Sequence, residues 1–177
     1  MATPSATEWS LLLGCRVVII VTTGTMLPFD RLVRAMDFWA GQHPSEDAFA
    51  QIGDGAYEPR NMSWVRFLAP GEFADRVRRS SLIVAHAGTG SFFLAAETSK
   101  AVVMLPRLAV NREHTTDHQV HTARWLSDKR GVYVAMTEEE LPAAIARARA
   151  PGSFVASQST PYAPQPFLAK MREFLVA

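Results

Sequence analysis

The chain has 177 residues, 48% hydrophobic and 20% charged, the composition of one globular domain long enough to bury a core. Its formal net charge of +1 supplies no global field toward nucleic acid. The single cysteine, Cys15, excludes an internal disulfide framework and fits a reducing compartment.

Residues 1–15 carry Pro4 and several Ser and Thr, and are expected to form a flexible N-terminal tail. The apolar run from Leu11 to Val21 is interrupted by Arg16 and falls well short of the ~20 residues that span a bilayer. Leu12-Leu13-Gly14-Cys15 superficially resembles a lipoprotein processing site, but residues 1–10 contain no Lys or Arg to begin a signal peptide.

A single nucleotide-binding-type domain is expected over residues 16–150. Val17–Val21 reads as a buried strand, Thr22-Thr23-Gly24-Thr25 as a turn, and Pro28 as the first turn of a helix. The stripe of that helix is Leu32, Val33, Met36 and Trp39. Short strands follow at Phe49–Ile52, closed by Gly53-Asp54-Gly55, and at Val65–Leu68, broken by Pro70-Gly71. Glu72–Ser80 reads as a helix with Phe73 and Val77 inward. Leu82–Ala85 and Val102–Leu105 are two further strands, each leading through a polar loop into a helix. Val120, Ala123, Trp125 and Leu126 continue the second of these helices before Gly131. Val132–Ala135 is a last strand, and Thr137 with Glu140 is a capping-box pattern that opens a helix ending near Pro151. Residues 151–177 read as a Pro-rich linker and a C-terminal helix, packing on the domain through Phe167, Met171, Phe174 and Leu175.

Strands alternate with helices throughout, so the fold class is α/β: a Rossmann-like, mainly parallel sheet with helices on both faces. In such sheets ligands bind where loops leave the carboxyl ends of the strands. Two Gly-containing loops emerge there, Thr22–Thr25 and His86–Ser91. Small residues allow close approach, and the free N–H groups at a helix start favour phosphate. Neither loop matches G-x-G-x-x-G or the Lys-containing P-loop, so the pattern alone fits a phosphate site and a tight structural turn equally. His86 reads either as a phosphate donor or as a structural histidine at a strand end. His114 and His118 have the i, i+4 spacing of a helical zinc pair, with His121 nearby, but no H-E-x-x-H is present.

Taken together, HAGTGS after a strand, VVMLPR, EHTTDHQ, VTTGT with FDRLVRAMD, and QIGDGAYEP resemble the nucleotide-sugar domain of family 28 glycosyltransferases over roughly Val17 to Leu141. The likeness is to single-domain catalytic subunits of bacterial exopolysaccharide synthesis. It extends to the small cytosolic subunit of the eukaryotic enzyme that adds the second N-acetylglucosamine to dolichol-linked sugar. The resemblance implies one half of a GT-B fold and an inverting, metal-independent hexosyltransferase, with a UDP-sugar as donor substrate and no further cofactor. A membrane-anchored glycosyltransferase subunit would supply the other half and hold the protein at the inner face of the plasma membrane. A lipid-diphosphate-linked saccharide would be the acceptor, and a homodimer is the other use of an exposed apolar patch.

By position, the resemblance implies that His86, Gly88, Thr89, Gly90 and Ser91 hold the diphosphate and that His118 and Gln119 meet the hexose. Glu113 and Asp117 would orient the sugar or the loop, Gly24 and Thr25 would face the cleft, and the loop from Phe67 to Glu72 would lie near the uracil. His86 would stabilise departing UDP, and the general base would lie on the partner or be His114. Many relatives hold the ribose with a Glu where this chain has Leu94, and Glu97, one turn later, is the expected substitute. Arg107 and Arg112 flank the sugar loop. Either one pairing with a carboxylate would favour UDP-glucuronate, while Arg107 closing the loop is the alternative. A non-catalytic accessory subunit that stabilises its membrane partner is the competing function.

Overall fold

The structure is a computed structural model, and it describes residues 18–150. The expected tail, Pro-rich linker and C-terminal helix lie outside the described residues. Six strands form one wholly parallel sheet: β1 Val18–Thr22, β2 Asp47–Gln51, β3 Ser63–Val65, β4 Leu82–His86, β5 Ala101–Leu105 and β6 Val132–Val134. Five α-helices accompany them: α1 Asp30–Gln42, α2 Pro70–Arg79, α3 Thr89–Glu97, α4 His118–Leu126 and α5 Leu141–Arg149.

The period-two alternation of the strands sends successive side chains to opposite faces, and each face carries its own core. Ile19, Val21, Val84, Val103 and Leu105 pack with Leu32, Val33 and Met36 of α1 and with Leu141, Ala144 and Ile145 of α5. On the other face Ile20, Ile83, Ala85, Val102 and Met104 meet Val77 of α2, Ala95 of α3, and Ala123 and Leu126 of α4. Strand order is β3-β2-β1-β4-β5-β6. It reverses between β1 and β4, where Val21 and Thr22 lie beside Val84 and Ala85. Loops leaving those two strands diverge and open a crevice at the carboxyl edge of the sheet.

Several boundaries differ from the expectation for local reasons. α1 begins at Asp30 rather than at Pro28, whose carbonyl is held from outside the helix by Arg107. α2 begins at Pro70 rather than at Glu72, since a missing N–H loses no bond in the first turn of a helix. β2 and β3 begin two residues earlier than their apolar runs, because pairing of β2 to β1 and of β3 to β2 sets their extent. Trp125 of α4 is 62% exposed and lies under Lys129. The capping-box pattern yields a 3₁₀ turn, Glu138–Glu140, ahead of α5, and Glu140 accepts the N–H of Met136 rather than that of Thr137.

Candidate functional site

β1 and β4 deliver their loops to one cleft of about 650 Å³. Its floor is built by Thr22, Thr23, Gly24 and Thr25 from the β1 loop and by His86 to Ser91 from the β4 loop. Its far wall carries His114, His118, Gln119 and Thr122. The diphosphate and hexose residues expected from the sequence therefore meet across one opening. Leu68 and Pro70 bring the expected base-side loop to the opposite rim.

α3 starts at the floor of the cleft. The N–H groups of Thr89 and Gly90 have no acceptor among the described residues, and the first turn carries no acidic side chain. Unpaired N–H groups and the helix dipole together favour an anion at this end. Ser91, almost fully buried, adds its hydroxyl to the same wall.

His86 sits at the centre of this floor, and two glycines make room for it. A Cβ on Gly88 would fall 2.5 Å from its Nε2, and one on Gly24 would fall 2.8 Å from its Cε1. Gly24 also has φ +78°, a conformation that only glycine adopts freely. The two glycines thus admit the imidazole first, and through it shape the ligand surface. Burial pushes the His86 pKa down to about 4, with help from the charge of Arg107 and from His114. The ring is neutral at physiological pH, and its buried Nδ1 has no partner among the described residues. An unpaired buried N–H is rarer than an unpaired acceptor, which assigns the proton to Nε2 as a neutral donor.

His114 and His118 meet edge to face with ring centroids 4.2 Å apart. His114 precedes α4, so the helical i, i+4 pair read from spacing does not form. No group of three metal-ligating side chains occurs among the described residues. Burial lowers the His114 pKa, helped by His118 and Arg107. Its Nδ1 accepts the N–H of Thr115 at 2.9 Å, which puts the ring proton on Nε2.

Gln119, 4% exposed, accepts the N–H of Arg107 through Oε1 at 3.1 Å. Its amide nitrogen has no acceptor among the described residues and is the group available to a ligand hydroxyl. Thr122, one turn further along α4, and Gln51, whose Oε1 holds Leu68 N–H, also line the cleft. Neither was expected. Thr122 is legible from its i, i+3 spacing to Gln119, whereas Gln51 becomes visible only through strand pairing.

Three expected residues stand outside the cleft lining. Glu113 is engaged by Arg31 at 2.7 and 2.9 Å and by the N–H of Leu108 at 2.9 Å, so it orders the loop instead of meeting a sugar. Asp117 accepts the N–H of Ala109 at 2.8 Å and closes the same loop. Glu97 is exposed at the end of α3, while Leu94 occupies the cleft wall.

Arg107 lines the cleft, but its guanidinium is engaged by the protein, as in the loop-closing alternative. Its side chain is bonded to the carbonyls of Thr23 at 2.7 Å, Leu27 at 2.6 Å, Glu113 at 3.3 Å and Pro28. Arg112 is exposed, with φ +57°, and is not part of the lining.

The family model for the glycosyltransferase family 28 C-terminal domain matches residues 18–173. No curated protein matches the sequence. Among solved structures, the chain is similar to the glycotransferase of kitacinnamycin, with TM-score 0.60 and 16% identity over 86% of this chain and 38% of that one. It is similar to MurG of Acinetobacter baumannii, with TM-score 0.57 and 20% identity over 86% of this chain and 47% of that one. The solution structure of ALG13 matches with TM-score 0.55 and 15% identity over 88% of this chain and 94% of that one. The chain thus spans under half the length of the first two proteins and nearly the whole of the third. At these identities the likeness is one of fold.

Proposed function

The chain belongs to the glycosyltransferase family 28 C-terminal domain family, and on that premise we propose that it is the donor-binding, catalytic half of an inverting UDP-sugar-dependent hexosyltransferase. The observation that carries this reading is the convergence of His86, Gly88 to Ser91, His118 and Gln119 on one cleft at the reversal of strand order. The neutral Nε2–H of His86 and the α3 N–H groups would stabilise the diphosphate as UDP departs, a donor array preorganised before reaction. The amide of Gln119 and the ring of His118 would orient the hexose.

The remaining terms of the proposal are a lipid-diphosphate-linked saccharide as acceptor, exopolysaccharide assembly as the setting, and a membrane-anchored subunit as partner. Met26, 88% exposed on the cleft rim, and the neighbouring Leu27 support a second body covering this mouth. That body is also where the general base would come from, with His114 as the alternative. No helix among the described residues is long and apolar enough to cross a membrane, so a partner would supply the membrane contact. Because neither Arg107 nor Arg112 is free at the cleft, the donor is proposed as a UDP-hexose with no requirement for a carboxylate.

Leu94 in the cleft wall, where the family resemblance implies a ribose-holding carboxylate, favours a second reading: a non-catalytic accessory that stabilises the membrane partner. Calorimetric titration with UDP separates the two. Saturable binding supports the transferase, and its absence supports the accessory. Thermal shifts with UDP-glucose, UDP-galactose, UDP-glucuronate and UDP-N-acetylglucosamine then identify the donor.

A further inference from the structure

The β1 loop is attached to the domain in an unusual way. The N–H groups of Thr25, Met26 and Leu27 have no acceptor among the described residues, and all three residues are exposed. Beyond Gly24 the loop is held almost wholly by its carbonyls. Those of Thr23, Leu27 and Pro28 all accept from the guanidinium of Arg107, which is 2% exposed and lies over the ring of Phe29. Arg107 belongs to the other side of the cleft, in the loop leaving β5, and it also reaches the carbonyl of Glu113. Glu113 is fixed in turn by the paired bonds from Arg31 of α1, which also holds the carbonyl of Pro106 and the carboxylate of Glu138. One planar fork therefore ties the loop beside His86 to the loop that leads into His114 and His118. A lysine, with a single point charge, cannot span those carbonyls at once.

We propose that Arg107 is a positioning residue that clamps the Thr23–Pro28 loop by its carbonyls, so that Gly24 closes on His86 and the loop presents its free N–H groups to the ligand. Arg107 touches no reacting atom in this role; it acts through the loop. The inference rests on the cleft being a UDP-sugar site only for its binding arm, and its structural arm stands independently.

Hydrogen exchange of the full-length protein tests the structural arm. In Arg107→Lys, the amides of Thr23 and Gly24, which donate to Gln51 O and Thr22 Oγ1, should exchange about tenfold faster or more, while those of β4 and β5 keep their protection. UDP titration of the same variant should show affinity weakened by about tenfold or more, since displaced groups lose binding geometry. Unchanged exchange at Thr23 and Gly24 overturns the clamp. Faster exchange with unchanged UDP affinity overturns its role in the site. If wild-type protein fails to bind UDP, the functional reading fails while the exchange result still decides the clamp. Should Arg107→Lys not fold, Arg107→Gln, which can still donate to two carbonyls, replaces it. If neither variant folds, Arg107 is architectural and the positioning role is overturned.

Discussion

At the scale of single residues, His86 and the two glycines around it form one unit, and this makes their energetics non-additive. Gly88→Ala forces a methyl within contact of the imidazole and should destabilise the protein by about 1–3 kcal/mol, the usual penalty of overpacking. In a His86→Ala background the same change should cost only about 0.5 kcal/mol or less, because its obstacle is gone. Urea denaturation of the four proteins measures the coupling, and equal costs in both backgrounds would refute it. Gly24 is a poorer probe, since its positive φ penalises any side chain whatever the space.

The depressed pKa of His86 also has a pH consequence. Its folded value is about 4, below the ordinary 6.5, so between those values the unfolded chain binds a proton that the folded chain refuses. Stability therefore rises with pH across this window, and acidification from pH 7 to 4 should remove roughly 3 kcal/mol through this group. His86→Asn should flatten that part of the profile. Denaturation at pH 7 and pH 4.5 compares the slopes, and identical slopes in both proteins would sink the assignment.

At the scale of elements, the loop from Pro106 to Asp117 is organised by ion pairing to α1 and not by its own turns. Arg31 and Glu113 make a paired contact with side chains 12% and 11% exposed, and Glu138 joins from the 3₁₀ turn before α5. Removing one member leaves a largely buried charge behind. Glu113→Gln should therefore cost about 3 kcal/mol in chemical denaturation, well above the 0–1 kcal/mol typical of an exposed pair. The exposed Arg66–Glu58 pair is an internal control, and Glu58→Gln should change stability by less than about 1 kcal/mol. A similar loss in both variants would mean that Glu113 has no special place. The segment after β2 is arranged by the same logic. Asp30, at the start of α1, accepts the N–H of Ala56, and a Cβ on Gly55 would fall 2.4 Å from its carboxylate. Asp37 takes Tyr57, Arg60 and Asn61 at 2.7, 2.9 and 2.6 Å. The two aspartates of FDRLVRAMD thus fasten GDGAYEPRN onto α1.

At the scale of the whole molecule, the cleft lies along the open carboxyl edge of the sheet, with exposed Met26 and Leu27 on its rim. A ligand bound there contacts loops from β1, β4 and β5 simultaneously and should stabilise all of them. UDP at one hundred times its dissociation constant should raise unfolding stability by about 2.7 kcal/mol, read as an increased melting temperature. No shift with UDP, alongside retained cooperativity of unfolding, would favour the accessory reading.

Much of this was legible in the sequence because it depends on local rules. Apolar runs of four or five residues alternating with amphipathic stretches specify a parallel sheet covered on both faces, and the polar segments after those runs mark where its loops open. That reasoning locates the His86 to Ser91 loop at the cleft, because it leaves the end of β4 directly; His118 and Gln119, well beyond the end of β5, were singled out by the family resemblance. What only the tertiary structure decided is which polar groups remain free. Glu113, Asp117 and Arg107 carry the same chemistry as groups that bind ligands, but each is consumed by a partner far along the chain or across a loop. Arg31 is 82 residues from Glu113, and Thr23 is 84 from Arg107. Leu94 and Glu97 share a helix, and only the tertiary structure decided that the leucine enters the cleft wall while Glu97 stays exposed. A residue's chemistry is written in its identity, but its availability depends on how the folded chain satisfies its hydrogen bonds, and that is a property of packing.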